Sequence, residues 1–142
     1  ILLSEATAKD WLRYQIQQAI AANCTTFITG MGMGVDIWAA EIVLKLRDAG
    51  QPVKLMCACP YDGFETGWSQ EWQRQYKEIL TEADFVKYVC GGYSRSCFQI
   101  RNEWMVNHSA RVIAVFNGEK SGTKNTIDYA IRQNVPVEFI KG

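Results

Sequence analysis

The sequence predicts an α/β fold, a three-layer, doubly wound, Rossmann-like sandwich around a mainly parallel sheet. Three observations carry this. Short β-rich runs alternate with helical patterns of roughly 10 to 16 residues. The near-continuous apolar run 53–59 suits a strand buried on both faces. Glycine-rich turns follow two of the strands, at 30–34 and 118–122. A parallel connection has to cross over the sheet, and a helix is the usual crossover.

Each element has its own signal. Between 7 and 22, Trp11, Leu12, Ile16, Ala19 and Ile20 recur at helical spacing with polar residues between them. The β-rich run 25–29 breaks at Gly30, and the glycine-dense stretch behind it leads into a helical pattern over 36–46. The strand at 53–59 ends at Pro60, which cannot donate to a ladder. A long helix follows over 68–83, with Trp68, Trp72 and Tyr76 on one face at core or interface spacing. A strand at 85–89, a helix at 96–109, a strand at 111–116, a helix at 123–133 and a strand at 137–140 complete the order. No repeat, low-complexity tract or linker interrupts the 142 residues, so a single domain over 1–142 is expected.

Composition narrows the function. Apolar residues make up 48% and charged residues 21%, which excludes disordered, collagen-like and coiled-coil chains. Fifteen basic and fifteen acidic residues cancel, so no global field draws in nucleic acid or an anionic membrane, and any anion must be bound locally. The five cysteines form no CxxC pair and no Cys/His ligand set. Neither a disulfide framework nor a metal site is expected, and no cofactor is called for. Cys57 and Cys59 would share one strand face as small hydrophobes. No apolar stretch approaches the ~18 residues that cross a bilayer, and no signal peptide is visible, so a cytoplasmic location is expected.

Three stretches carry residues suited to chemistry. In the first, Gly30, Met31, Gly32, Gly34 and Asp36 lie between a strand and a helix. Glycine permits close backbone approach there, and the opening N–H groups of the helix favour phosphate. The spacing matches neither the dinucleotide fingerprint nor a Walker loop. The second stretch follows the strand at 111–116 and holds Asn117, Gly118, Ser121, Gly122 and Thr123, with Thr123 read as a helix cap beside exposed amides. In the third, Arg101 and Asn102 lie on a helix. The arginine suits a bidentate contact with phosphate or carboxylate, against the plainer reading of a surface ion pair with Glu103. Pro60 and Tyr61, with Phe64, stand at another strand end and suit the cover of a ligand ring, while His108, near a helix C-terminus, reads as structural. In open α/β sheets ligands sit beyond the carboxyl ends of the strands, where these loops would converge.

The run Phe27 to Glu41, the Cys59-Pro60-Tyr61 turn, Trp68, the run Arg101 to Ser109 and the run Ser121 to Thr126 together resemble the YpsA/YspA-type group of bacterial proteins. That group belongs to the SLOG superfamily, a Rossmann-like set named for the Smf/DNA-processing proteins and the LOG phosphoribohydrolases. The resemblance covers essentially the whole chain and implies a nucleotide-related ligand held by the two glycine loops, without implying a reaction. It also implies a leading strand that ends in a Gly-His-Arg-Pro-like loop. Residues 1–10 contain nothing of that kind, so that strand is expected to be missing from the sequence as given. The LOG enzymes carry a catalytic glutamate three residues after the threonine of their Gly-Thr loop. Here that position is Thr126, whose alcohol supplies neither the charge nor the basicity of a carboxylate.

The leading expectation is a binding domain for a nucleotide or nucleotide derivative, with a sensor or signalling role. An alternative is a nucleotide N-glycosidic-bond hydrolase that uses Asp36, Glu41 or Glu103 in place of the absent glutamate. A further alternative is single-stranded DNA binding, because the first and third stretches also resemble DNA-processing protein A, although the zero net charge argues against nucleic acid as partner. Self-association is common among SLOG relatives, so a homo-oligomer is compatible with the resemblance, and no membrane partner is expected.

Overall fold

The computed structural model describes residues 3–116 and 122–141. Helix α1 (Glu5–Ala21) is followed by β1 (Thr26–Thr29), α2 (Val35–Asp48), β2 (Lys54–Cys59), one 3-10 turn (Phe64–Gly67), α3 (Gln70–Glu82) and β3 (Phe85–Tyr88). Helix α4 (Cys97–Asn107), β4 (Val112–Phe116), α5 (Gly122–Arg132) and β5 (Val137–Lys141) complete the chain. Local chemistry sets the helix starts. Ser4 caps α1 by accepting the Thr7 N–H at 3.1 Å, and Ser69 caps α3 by accepting the Trp72 N–H at 3.4 Å.

Every strand pairing is parallel, as a doubly wound α/β fold requires. Helix α1 packs on α2 and α2 on α3, whereas α4 packs on α5. Right-handed crossovers place these two groups on opposite faces. The core lies between the first group and the strands. Leu12, Ile16, Ile37, Val43, Leu55 and Tyr76 are buried in it. Cys57 and Cys59 are fully buried on β2, and burial, with the neighbouring Cys59, pushes the Cys57 thiol up to about 12. Both therefore act as inert core residues.

Among the described residues the strands form two ladders, one in the order β1-β2-β3 and one pairing β4 with β5. The break falls between β1 and β4. The Lys54 N–H donates to the Thr25 carbonyl, so residues 25, 27 and 29 address β2. By the alternation of a parallel ladder, Thr26 and Ile28 turn their backbone groups the other way. The Val112 N–H donates to the Pro136 carbonyl, so Ile113 and Val115 likewise turn away from β5. Between these two edges lies a cavity of about 520 Å³, bordered by Leu12 and Ile16 of α1, Ile28 of β1, Val43 of α2, Val106 of α4 and Ile113 of β4. The reversal of winding direction occurs across this slot, so the loops after β1 and β4 flank the switch point where such folds bind ligands.

Candidate functional site

The loop after β1 is built by its own polar groups. Met31 is buried with φ at 62°, a conformation uncommon for a side-chain-bearing residue, and Gly34 caps α2 at φ 86° without a side-chain bond. The Thr29 hydroxyl accepts the Met31 N–H at 3.3 Å and donates to the Asp36 carbonyl at 3.0 Å. The Asp36 carboxylate accepts the Gly32 N–H at 2.9 Å. An open phosphate cradle would keep those two amides free. Here Thr29 and Asp36 occupy them, and the uncapped first turn of α2 supplies the remaining donors.

Arg101 locks this loop to the other half of the molecule. It lies buried on α4 and donates from Nη1 to the Gly30 carbonyl and from Nε to Asn102 Oδ1, the latter at 2.8 Å. The reading as a surface ion pair with Glu103 does not hold, since Glu103 instead accepts from Gln99 at 2.9 Å. A Cβ built on Gly30 would stand 3.0 Å from the guanidinium and 3.1 Å from Asp36 Oδ2, so any side chain there would press on both charged groups. A Cβ on Gly32 would stand 3.1 Å from the same carboxylate oxygen. Burial raises the Asp36 carboxyl above its ordinary value, and the Arg101 charge and the Gly32 bond oppose that rise. Burial also lowers the Arg101 value, opposed by the Asp36 charge. The two groups thus sit close enough for each to offset the other's burial, Arg101 inside the molecule and Asp36 half-buried at its edge.

Asn102 carries the connection onward. Its Nδ2 lies 3.8 Å from where a Gly122 Cβ would be, which brings the opening turn of α5 to the same rim as the β1 loop. Gly30, Met31, Gly32, Asp36, Arg101, Asn102 and Gly122 therefore converge, with Gly34 at the adjoining helix start. Helix α5 begins at Gly122, so Thr123 stands inside its first turn and not at the cap. A glycine tolerates the helical first position, and the helix simply extends back one residue. Asn117, Gly118 and Ser121 lie outside the described residues. Pro60 is fully buried at the end of β2, and the half-buried Tyr61 meets Phe64 and Tyr93 edge-on, each at 6.0 Å, and Phe98 at 6.4 Å. The Thr126 hydroxyl bonds back to the Gly122 carbonyl at 2.8 Å. His108 stacks on Trp104 at 4.1 Å, in keeping with a structural role.

One residue escaped the sequence reading. Glu65, on the 3-10 turn after β2, is 8% exposed, and its Oε1 is buried with no hydrogen-bond partner. Its nearest sequence signal is its place between the Cys59-Pro60-Tyr61 turn and Trp68, inside a stretch that reads as loop.

The comparisons with known proteins identify the family. Residues 5–140 match the YspA SLOG family (YpsA). The chain belongs to that family. Among relatives of this YspA SLOG domain, the uncharacterized SPbeta prophage-derived protein YoqJ of Bacillus subtilis (strain 168) is 34% identical over 135 residues, covering 86% of this chain and 79% of YoqJ. The UPF0398 protein ABC2016 of Shouchella clausii is 29% identical over 118 residues, covering 81% of this chain and 63% of the relative. The UPF0398 protein SH1465 of Staphylococcus haemolyticus is 26% identical over 139 residues, covering 93% and 74%. The chain thus spans less than two thirds of the length of ABC2016. No described helix of the YspA SLOG domain is long and apolar enough to cross a membrane.

Proposed function

We propose that this YspA SLOG domain binds a nucleotide or nucleotide-derived ligand at the carboxyl ends of its strands and serves as a sensor. The observation that carries the reading is the meeting of the Gly30 loop and the Gly122 turn through Arg101 and Asn102. Two helix starts, α2 and α5, then address one space from both sides, and each offers N–H donors and a positive dipole end to an anion. Arg101 holds the loop and adds positive potential from within. A cytoplasmic location accords with a nucleotide ligand. A thermal-shift panel of nucleotides tests the reading. Ligand at about 100 times its Kd adds about 2.7 kcal/mol, equivalent to a rise in Tm of about 5–15 °C for a domain of this size. No rise with any nucleotide would refute it.

A second reading, hydrolysis of an N-glycosidic bond, is favoured by one observation. Of the three candidate carboxylates, Asp36 alone bonds to the β1 loop, from the first turn of α2, and burial raises its pKa. Glu41 instead borders a surface groove beside Lys9 and Lys45, and Glu103 pairs with Gln99. Release of free base from nucleoside monophosphates that disappears in Asp36→Asn would support this chemistry, and its absence above a buffer blank would end it.

A further inference from the structure

Glu65 stands apart from every other buried side chain among those described, because its Oε1 alone lacks a hydrogen-bond partner. A carboxylate oxygen withdrawn from water without a donor is expensive, so such a group calls for an explanation in use. Its surroundings point to one. The 3-10 turn that carries Glu65 begins at Gly63, whose φ of 88° turns the chain sharply after β2. Next to Glu65 in sequence, Phe64 is the hub of an edge-to-face ring cluster with Tyr61, Trp68, Tyr76 and Phe98, at centroid distances of 5.1 to 6.4 Å. The outer rings of that cluster meet solvent, Phe98 at 39% and Tyr93 at 70% exposure. The turn that carries Glu65 follows β2, which runs parallel to β1, and Phe98 stands on α4 three residues before Arg101. Glu65 therefore belongs to the same end of the sheet as the Arg101 centre, on its aromatic side.

We infer that Glu65 reads the base of the bound nucleotide, with Oε1 accepting from ring or exocyclic N–H groups while the base lies against the Tyr61, Tyr93 and Phe98 rim. This rests on the nucleotide reading above and adds the pole at which the base is held. A carboxylate only accepts hydrogen bonds, so it matches a flat heterocycle bearing N–H donors. Guanine, with two adjacent donors, fits it best. Aromatic edges and faces favour a planar ring over a sugar. The phosphate end then falls to the helix starts of α2 and α5.

The test compares the 142-residue chain with its Glu65→Gln variant, titrated with guanosine 5′-monophosphate, adenosine 5′-monophosphate and ribose 5-phosphate. Glutamine keeps the shape but loses the charge and half of the acceptor capacity. We expect Glu65→Gln to weaken the two nucleotides roughly 10- to 100-fold, the span of hydrogen bonds to a charged group, and to leave ribose 5-phosphate unchanged. Phe98→Ala, at the solvent edge of the ring cluster, should weaken the same two ligands and spare the third. If the nucleotides bind both proteins equally, or ribose 5-phosphate weakens in parallel, the base contact is refuted while the nucleotide reading stands. If nothing binds the unaltered chain, both fall.

Discussion

The carboxyl rim and the slot between β1 and β4 lie next to one another and solve opposite problems. Around Arg101 at the rim, polar groups are drawn inside and answered. Arg101 meets the Gly30 carbonyl and Asn102, and Asp36 meets the Gly32 amide. In the slot, apolar side chains from α1, α2 and α4 surround two strand edges whose outward backbone groups meet no neighbouring strand among the described residues. The rim is an interlocked polar network in which removing one member strands the others. The slot is an apolar seam between the two ladders. Side-chain hydrogen bonds are therefore concentrated where a ligand would be held, and the apolar seam borders them at Thr29 and Asp36.

The sharpest way to break the comparison is Arg101→Met. It removes a buried cation and leaves Asp36 without its opposing charge, so a loss of about 3–5 kcal/mol in urea unfolding is expected. Adding Asp36→Asn should recover part of that loss, whereas full additivity of the two changes would show that they do not act as a unit. Next is Gly30→Ala, whose Cβ would meet the guanidinium at 3.0 Å, and a cost of about 1–3 kcal/mol is expected from overpacking. Gly92→Ala, which meets nothing within 4 Å, should stay within about 0.5 kcal/mol and serves as the control.

A smaller effect separates two aspartates by the sign of their pH dependence. The folded Asp36 value is raised, so its contribution is fully present below the ordinary 3.8 and is lost as pH rises through the folded value. Asp84 accepts the Leu55 N–H at 2.8 Å and pairs with Arg47 at 3.0 Å, and these contacts lower its value. Its contribution is present above 3.8 and is lost as pH falls through the folded value. Urea midpoints followed from pH 3 to 6 should therefore change slope in opposite directions in Asp36→Asn and Asp84→Asn. Finally, amide exchange should tell the seam from the ladders. The Ile28, Ile113 and Val115 amides, turned into the slot, should exchange faster than Phe27 and Ala114, which address β2 and β5. Equal protection would mean that the seam is closed in solution.

Much of this was legible because it is local. The helical spacing of Trp11, Leu12, Ile16 and Ala19, the break at Gly30 and the stop at Pro60 each act over a few residues, so the order of strands and helices follows from them. The pairing of Gly30 with Gly122 was partly legible, since strand-end loops converge in any doubly wound sheet. The closing of the β1 loop amides by Thr29 and Asp36 was not, because a side chain's choice between ligand and backbone depends on angles that no spacing encodes. What the sequence determined by itself is the sequence of elements, set by short-range periodicity and turn chemistry. The tertiary structure alone decided that Arg101, 71 residues from Gly30, is buried against it, that Glu65 is left with an unanswered oxygen, and that the sheet parts between β1 and β4. Those outcomes depend on which surfaces meet across the chain, and burial, hydrogen-bond partners and strand neighbours exist only once they have met.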